Sequence, residues 1–288
     1  MVTIEQLEAL DLLLWCRSGP SASERGRCHQ SSISRRAQSV LNTFGLRLRR
    51  SHEFRLQGDL RFLQGERHVH QLARFRGVSK RPLRLEATHY ICHHLSEPAI
   101  RGWVLGPCHH RGYGTLLSML RDRLIDAWIS SDLQDLPESA EFTVIRLWDW
   151  PGDLIVNHSH PLVREQGLSQ SDLNRFPSLI LPVALYPGLA RVVHDKGFGH
   201  QSQLARYDQG SWLGLTEDAV TISYGGCLSL DSDPMLRGLD WDLGLAGGEA
   251  LIVLSEWANE PAIALLLEDL RTRQQALQQR FPQLCGHL

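Results

Sequence analysis

Long apolar runs are missing from this sequence: none of its 288 residues lie in a stretch approaching the roughly 18 to 20 that a membrane span requires. The opening Met1-Val2-Thr3-Ile4-Glu5-Gln6 also lacks the basic and apolar regions of a secretory signal. Both absences predict a cytoplasmic protein with no membrane partner. Paired cysteines are missing too. Cys16, Cys28, Cys92, Cys108, Cys227 and Cys285 are scattered without a C-x-x-C pair, which argues against a disulfide framework or a zinc finger and predicts reduced thiols. There is no G-x-S-x-G elbow, H-E-x-x-H helix, P-loop or G-x-G-x-x-G turn, so nothing local proposes an enzyme, a catalytic residue or a cofactor.

What is present is ordinary globular composition, 42% hydrophobic and 22% charged, in a chain long enough for two or three folding units. The net charge of −2 conceals a split. Residues 1–81 carry 15 Arg and Lys against 7 Asp and Glu, net +8, which leaves 15 against 25, net −10, for the rest. Clustered positive charge in one part alone suits a polyanionic partner such as a phosphate backbone, because neutralising it releases counterions. A solvated basic face would carry the same charge.

Local patterning organises that basic part. Thr3-Ile4-Glu5-Gln6 has capping-box spacing, and Ile4, Leu7, Leu10 and Leu14 follow at helical steps. Arg17-Ser18-Gly19-Pro20 predicts a break, and Ser21-Ala22-Ser23-Glu24 a second capping box opening a short helix that ends near Gly26. From Gln30 to Phe44, Ile33, Ala37, Val40 and Phe44 share one face while Ser32, Arg35, Arg36 and Ser39 lie elsewhere, and Gly45 suits a left-handed stop. This describes a helix-turn-helix whose third helix could enter a major groove, with serine and glutamine for base edges and arginine for guanine or phosphate. A generic three-helix bundle shares the spacing.

Residues 4–50 resemble the DNA-binding domain of LysR-type transcriptional regulators, in ungapped register through Ser21-Ala22-Ser23-Glu24-Arg25 and Gln30-Ser31-Ser32-Ile33-Ser34-Arg35 to Phe44-Gly45-Leu46-Arg47-Leu48. The resemblance implies a recognition helix opened by Gln30, Ser31, Ser32, Ser34 and Arg35, with Arg36 and Arg47 added as DNA contacts. The sequence departs from that pattern at Ser31 (usually proline), Gly26 (leucine), Gly19 (an aromatic) and Arg49 (phenylalanine). A glycine at position 26 removes apolar area worth roughly 2–3 kcal/mol, which predicts a looser head. From Glu53 to about Arg76, Leu56, Leu60, Leu63, Val69, Leu72 and Phe75 among charges predict an amphipathic helix, weakened by about 1 kcal/mol each at Gly58 and Gly65. By resemblance it is a linker that pairs protomers into a homodimer or homotetramer.

Beyond Pro82 the texture becomes α/β. Strands are expected at 83–87, 103–105, 124–129, 141–148, 153–156, 178–182, 219–224 and 249–255, with helices at 114–121, 211–218 and 260–279. Leu154 to Leu162 with its His160-Pro161-Leu162, then Gly167 to Leu173, and Glu260-Pro261-Ala262-Ile263 opening the last helix, are similar to passages of the same family's effector domain. The expectation is an α/β protein: a winged helix-turn-helix over 1–52, a linker helix over 53–82, and a two-lobed periplasmic-binding-protein-like effector domain over 83–288. A small-molecule effector would lie between the lobes, near residues that follow strands or open helices. Thr88, His89, Ser211, Trp212 and Tyr224 are the candidates. Cys92-His93-His94 and Cys108-His109-His110 repeat a triplet of metal-competent donors without standard ligand spacing, so no metal site is assigned. The competing reading is a ligand or metal sensor whose N-terminal module serves protein interaction or dimerisation rather than DNA binding.

Overall fold

The computed structural model describes residues 2–50, 54–109, 111–200, 215–216 and 219–288. Helix α1 (Ile4–Cys16) opens on the expected reciprocal cap: Thr3 Oγ1 accepts from Gln6 N at 3.3 Å, and Gln6 Oε1 accepts from Thr3 N at 2.9 Å. Helix α2 (Gly19–Arg25) starts earlier than the capping-box spacing predicts. Ser18 rather than Ser21 is the cap, accepting from Ser21 N at 3.4 Å, and Pro20 falls in the first turn, where a missing N–H costs nothing. Helix α3 (Gln30–Thr43) buries Ile33, Ala37, Val40 and Leu41, and Gly45 closes it at φ +64°.

Gly26 leaves no hole. A Cβ there would lie 3.1 Å from Leu12 Cδ1 and 3.2 Å from Ile33 Cδ1, so those side chains already occupy the space that a leucine takes in the resembled family. The looseness expected from the missing side chain is therefore corrected by repacking. Gly26→Leu should destabilise the head by about 1–3 kcal/mol through overpacking rather than restore it. Denaturant unfolding checks this, with increased stability the contrary result.

Residues 54–57, expected to begin the linker helix, instead form strand β2 (Phe54–Gln57), antiparallel to β1 (Arg47–Arg50) with Arg47 opposite Gln57. Alternation of apolar and polar residues at 54–57 suits a wing strand half-buried on the head, and this tertiary contact overrides the helical spacing. Helix α4 (Arg61–Phe75) is correspondingly shorter. Gly58 does not weaken it, because it sits in the turn before it at φ +127°.

Strand β3 (Leu83–Ala87) is parallel to β4 (Trp103–Leu105) and β5 (Ala127–Ser130), with α5 (His89–Ser96) and α6 (Tyr113–Arg121) as connections. Two long strands then run through the whole effector region, β6 (Phe142–Asn157) antiparallel to β8 (Leu236–Leu254). The sequence predicts two strands flanking Pro151-Gly152; one continuous strand forms, the proline accommodated by a register shift between Pro151 and Asp153. Residues 178–182 form no strand, only a bridge from Ser178 to Ile222. Most of the helix expected at 211–218 lies outside the described residues. The second lobe adds α7 (Gln170–Leu173), α8 (Pro187–Asp195), β7 (Ser223–Gly225) and α9 (Cys227–Ser232). Helix α10 (Pro261–Arg280) and β9 (Cys285–Gly286) close the chain against the first lobe. The sheet order is β4-β3-β5-β8-β6-β7, with β9 on β6.

Two apolar cores result. One is confined to the second lobe around Leu154, Ile155, Leu179, Ile222 and Leu236. The other is continuous from the head through the linker into the first lobe, including Leu10, Trp15, Leu63, Leu85 and Leu270. Among the described residues no helix is long and apolar enough to cross a membrane.

Candidate nucleic-acid interface and interlobe cleft

The free face of α3 is built from the residues its apolar stripe leaves over. Gln30, Ser31, Ser34 and Arg35 are exposed, Ser32 and Arg36 half-buried. Gln30 leans over α2: a Cβ on Gly19 would lie 2.5 Å from its Nε2, so the absent aromatic at position 19 has been replaced by this amide. The Glu5 backbone amide and the Thr3 hydroxyl hold the Glu5 carboxyl of α1 below its ordinary range, with smaller contributions from the charges of Arg81 and Arg36. Sequence reasoning overlooked Gln38 and Asn42, one and two turns beyond Ser34; both are exposed and joined by a 2.8 Å amide hydrogen bond. Continuing the helical period from Ser31 and Ser34 would have found them. On the wing, Arg47, Arg49 and Arg55 are exposed, with Arg49 opposite Arg55 across the two strands.

The interlobe cleft forms where β6 and β8 cross between lobes, beyond the end of β5. A 60 Å³ cavity is lined by Thr88, Arg111, Tyr113, Trp128, Asp132 and Tyr186, among others. A second, of 80 Å³, is lined by Trp150, Tyr224, Gly226 and Gly247, and shares Ser131, Asp132 and Leu189 with the first. Thr88 and Tyr224 thus reach the cleft, though both hydroxyls also serve backbone: Thr88 Oγ1 accepts from Ser131 N at 3.1 Å and Tyr224 donates to Leu179 O at 3.0 Å. His89 lines neither cavity, because it begins α5 rather than following the strand directly. Ser211 and Trp212 lie outside the described residues.

The missed residue with the most distinctive chemistry is Asp132. Burial, together with the neighbouring Asp135 carboxylate, pushes its pKa up to about 7. Asp135 itself caps the second lobe's α8, accepting from Gly188 N at 2.7 Å and Leu189 N at 3.2 Å. The rule that ligands gather beyond strand ends identifies Ser131-Asp132 once it is applied to β5 as well as β3. Among the described residues no group of three His, Cys, Asp or Glu side chains could hold a metal ion.

Head and first lobe meet through a buried polar seam. Asp11 of α1 accepts from Arg67 Nε of α4 at 2.8 Å and from Arg84 Nη1 of β3 at 3.0 Å, all three side chains almost wholly enclosed. Asp126 takes Gln71 Nε2 at 2.9 Å, Arg74 Nη2 at 2.7 Å and Arg84 N at 2.7 Å. Trp15 Nε1 donates to Glu86 Oε2 at 2.6 Å, and Arg111 of the cleft donates to the Trp15 carbonyl. Burial raises the Glu86 carboxyl, against the opposing pull of Arg111 and these donors. The seam uses the face of α4 carrying Leu63, Arg67, Gln71 and Phe75, and leaves Phe62, Val69 and Leu72 exposed on the other.

No protein-family model and no curated protein matches the chain. Solved structures do. A full-length OxyR variant from Pseudomonas aeruginosa superposes with a TM-score of 0.55 at 15% identity, over 94% of this chain and 98% of that one. CbnR, in full length with its target DNA, gives 0.53 at 17% identity over 93% and 98%. CrgA, a LysR-type transcriptional regulator from Neisseria meningitidis, gives 0.51 at 16% over 94% and 99%. This chain has the fold of full-length LysR-type regulators: a winged helix-turn-helix followed by a two-lobed α/β domain.

Proposed function

We propose that the chain is a LysR-type, DNA-binding transcriptional regulator of the cytoplasm that responds to a small-molecule effector and performs no catalysis. The carrying observation is the exposed polar face of α3, with Ser31, Ser34, Arg35 and Gln38, set beside the wing arginines in a head and linker of net charge +8 over residues 1–81. Such a face offers hydrogen-bonding groups to base edges, and the arginines offer charge to phosphates. The cleft cavities, with polar groups set among aromatic rings, support an effector. Exposed Phe62, Val69 and Leu72 on α4 support a homodimer or homotetramer, which would carry its recognition helices to successive major grooves.

The test is retention of DNA fragments from upstream of the protein's own gene. Binding should weaken steeply with rising salt, and Arg35→Ala should lower affinity by about 1–3 kcal/mol while leaving the unfolding midpoint unchanged. A folded protein with no salt-sensitive DNA retention would shift the reading to an interaction module.

A further inference from the structure

An acceptor and a donor are buried at the interlobe cleft without hydrogen-bond partners among the described residues. Asp132 spends Oδ1 on Gln134 N at 3.0 Å, whereas its Oδ2 is shut away from water and unpaired. Trp128, 3% exposed and lining the first cavity with Asp132, is in the same condition at its indole Nε1. Unpaired groups of this kind make a closed, empty cleft unfavourable, so a ligand that supplies both partners is favoured by what it relieves. We infer that the cleft takes an organic ammonium ion, an amine seated on the Asp132 carboxyl among aromatic rings, and not an anion. The inference rests on reading the cleft as an effector site.

The charges at the cleft decide the sign of the ligand. Two carboxyls stand there, Asp132 and the Asp135 that is tied to α8 through Gly188 N and Leu189 N. Arg111 lines the first cavity but commits its terminal nitrogens elsewhere: Nη2 donates to the Trp15 carbonyl of α1, and Nη1 lies 2.9 Å from Met119 Sδ of α6. The other basic group on that wall, His109, has its pKa lowered by burial and by the Arg111 charge. An anion entering here would face two carboxyls and a guanidinium already engaged with other groups. An ammonium ion finds Asp132 Oδ2 instead, with rings to share its charge: Tyr113 and Trp128 meet edge to face with centroids 6.1 Å apart, and Tyr186 closes the same wall. The Trp128 N–H then donates to an acceptor elsewhere on the ligand.

Binding of such a ligand is linked to a proton. Burial raises the Asp132 carboxyl to about 7, so the ammonium ion competes with a proton for the same group and binds better as pH rises through that value. The surrounding groups leave this linkage to Asp132. Glu249 lies wholly buried behind Ser131, whose hydroxyl donates to its Oε1 at 3.1 Å, and burial holds the proton on it. Burial also pushes the Tyr113 and Tyr186 hydroxyls up, so both rings stay neutral.

Thermal melts and titration calorimetry of the full-length protein test this with phenethylamine and tyramine, set against hydrocinnamate and phenethyl alcohol, which carry a carboxylate or a hydroxyl on the phenethylamine skeleton. At about pH 8 the amines should raise the melting temperature and bind about tenfold or more tightly than the acid and the alcohol. Between about pH 8 and about pH 6 amine affinity should fall about tenfold, as expected for a ligand that displaces one proton from a group titrating near 7. Asp132→Asn should remove most of the affinity together with its pH dependence; should that variant fail to fold, the wild-type pH profile still decides. Stronger binding of hydrocinnamate, no stabilisation by either amine, a flat pH profile, or undiminished amine binding by Asp132→Asn overturns the inference. Hydrocinnamate bound in place of the amines would do so while leaving an effector site in the cleft. Absence of salt-sensitive DNA retention would instead strike the regulator reading and leave amine binding intact.

Discussion

Asp11→Ala should cost the protein about 3–5 kcal/mol of stability, the penalty expected when one partner of a buried ion pair is removed. The carboxylate is 2% exposed and shared by Arg67 and Arg84, themselves 3% and 6% exposed, so truncation strands two guanidinium groups away from water. Because these three residues come from the head, the linker and the first lobe, the loss should appear as undocking of the head as well as a lower unfolding midpoint. Asp59→Ala supplies the comparison: its 2.5 Å pair with Arg61 is solvent-exposed, where water screens the attraction and the loss should be small. Denaturant unfolding and limited proteolysis of both variants would decide the matter, and equal small losses would mean that the seam does not hold the head.

Asp132→Asn should make the protein more stable above neutrality and leave it nearly unchanged in acid. The folded state raises this carboxyl from 3.8 to about 7, so it binds the proton more tightly than the unfolded chain does. Its contribution is most favourable below the unfolded pKa and is progressively lost as pH climbs from about 4 to about 7, where the folded group finally ionises. Asparagine resembles the neutral acid and never carries the charge. The gap in melting temperature between variant and wild type should therefore open across that window and stay level at pH 8, each kcal/mol recovered raising the midpoint by about 2–4 °C. Glu249, wholly buried with Ser131 Oγ at 3.1 Å from Oε1, is pushed well upward by the same cause and would add a similar slope of its own. A gap independent of pH would show that Asp132 is not held neutral. The titration lies at the cleft, so effector binding should share that pH dependence.

The exposed face of α3 was largely legible because helical periodicity is a local property: Ile33, Ala37 and Val40 must face inward, and Gln30, Ser31, Ser34 and Arg35 are what remains outside. The cleft was less so. Thr88 could be placed from its own strand end, but Asp132 acquires its character from burial and from Asp135, which is itself tied to α8 more than 50 residues along the chain. His89 has the same local credentials as Thr88, and only the geometry of the β3–α5 turn separates them.

By itself, the sequence determined the three short helices of the head, the inward stripe of α3 and the split between a basic amino-terminal part and an acidic remainder, because these follow from nearest-neighbour propensity and spacing. The tertiary structure alone decided that residues 54–57 return as a wing strand, that β6 passes unbroken through Pro151-Gly152, and that α4 turns Arg67 and Gln71 inward. These outcomes depend on which distant groups can satisfy a buried charge or amide, and that balance of desolvation against pairing exists only once the chain has closed on itself.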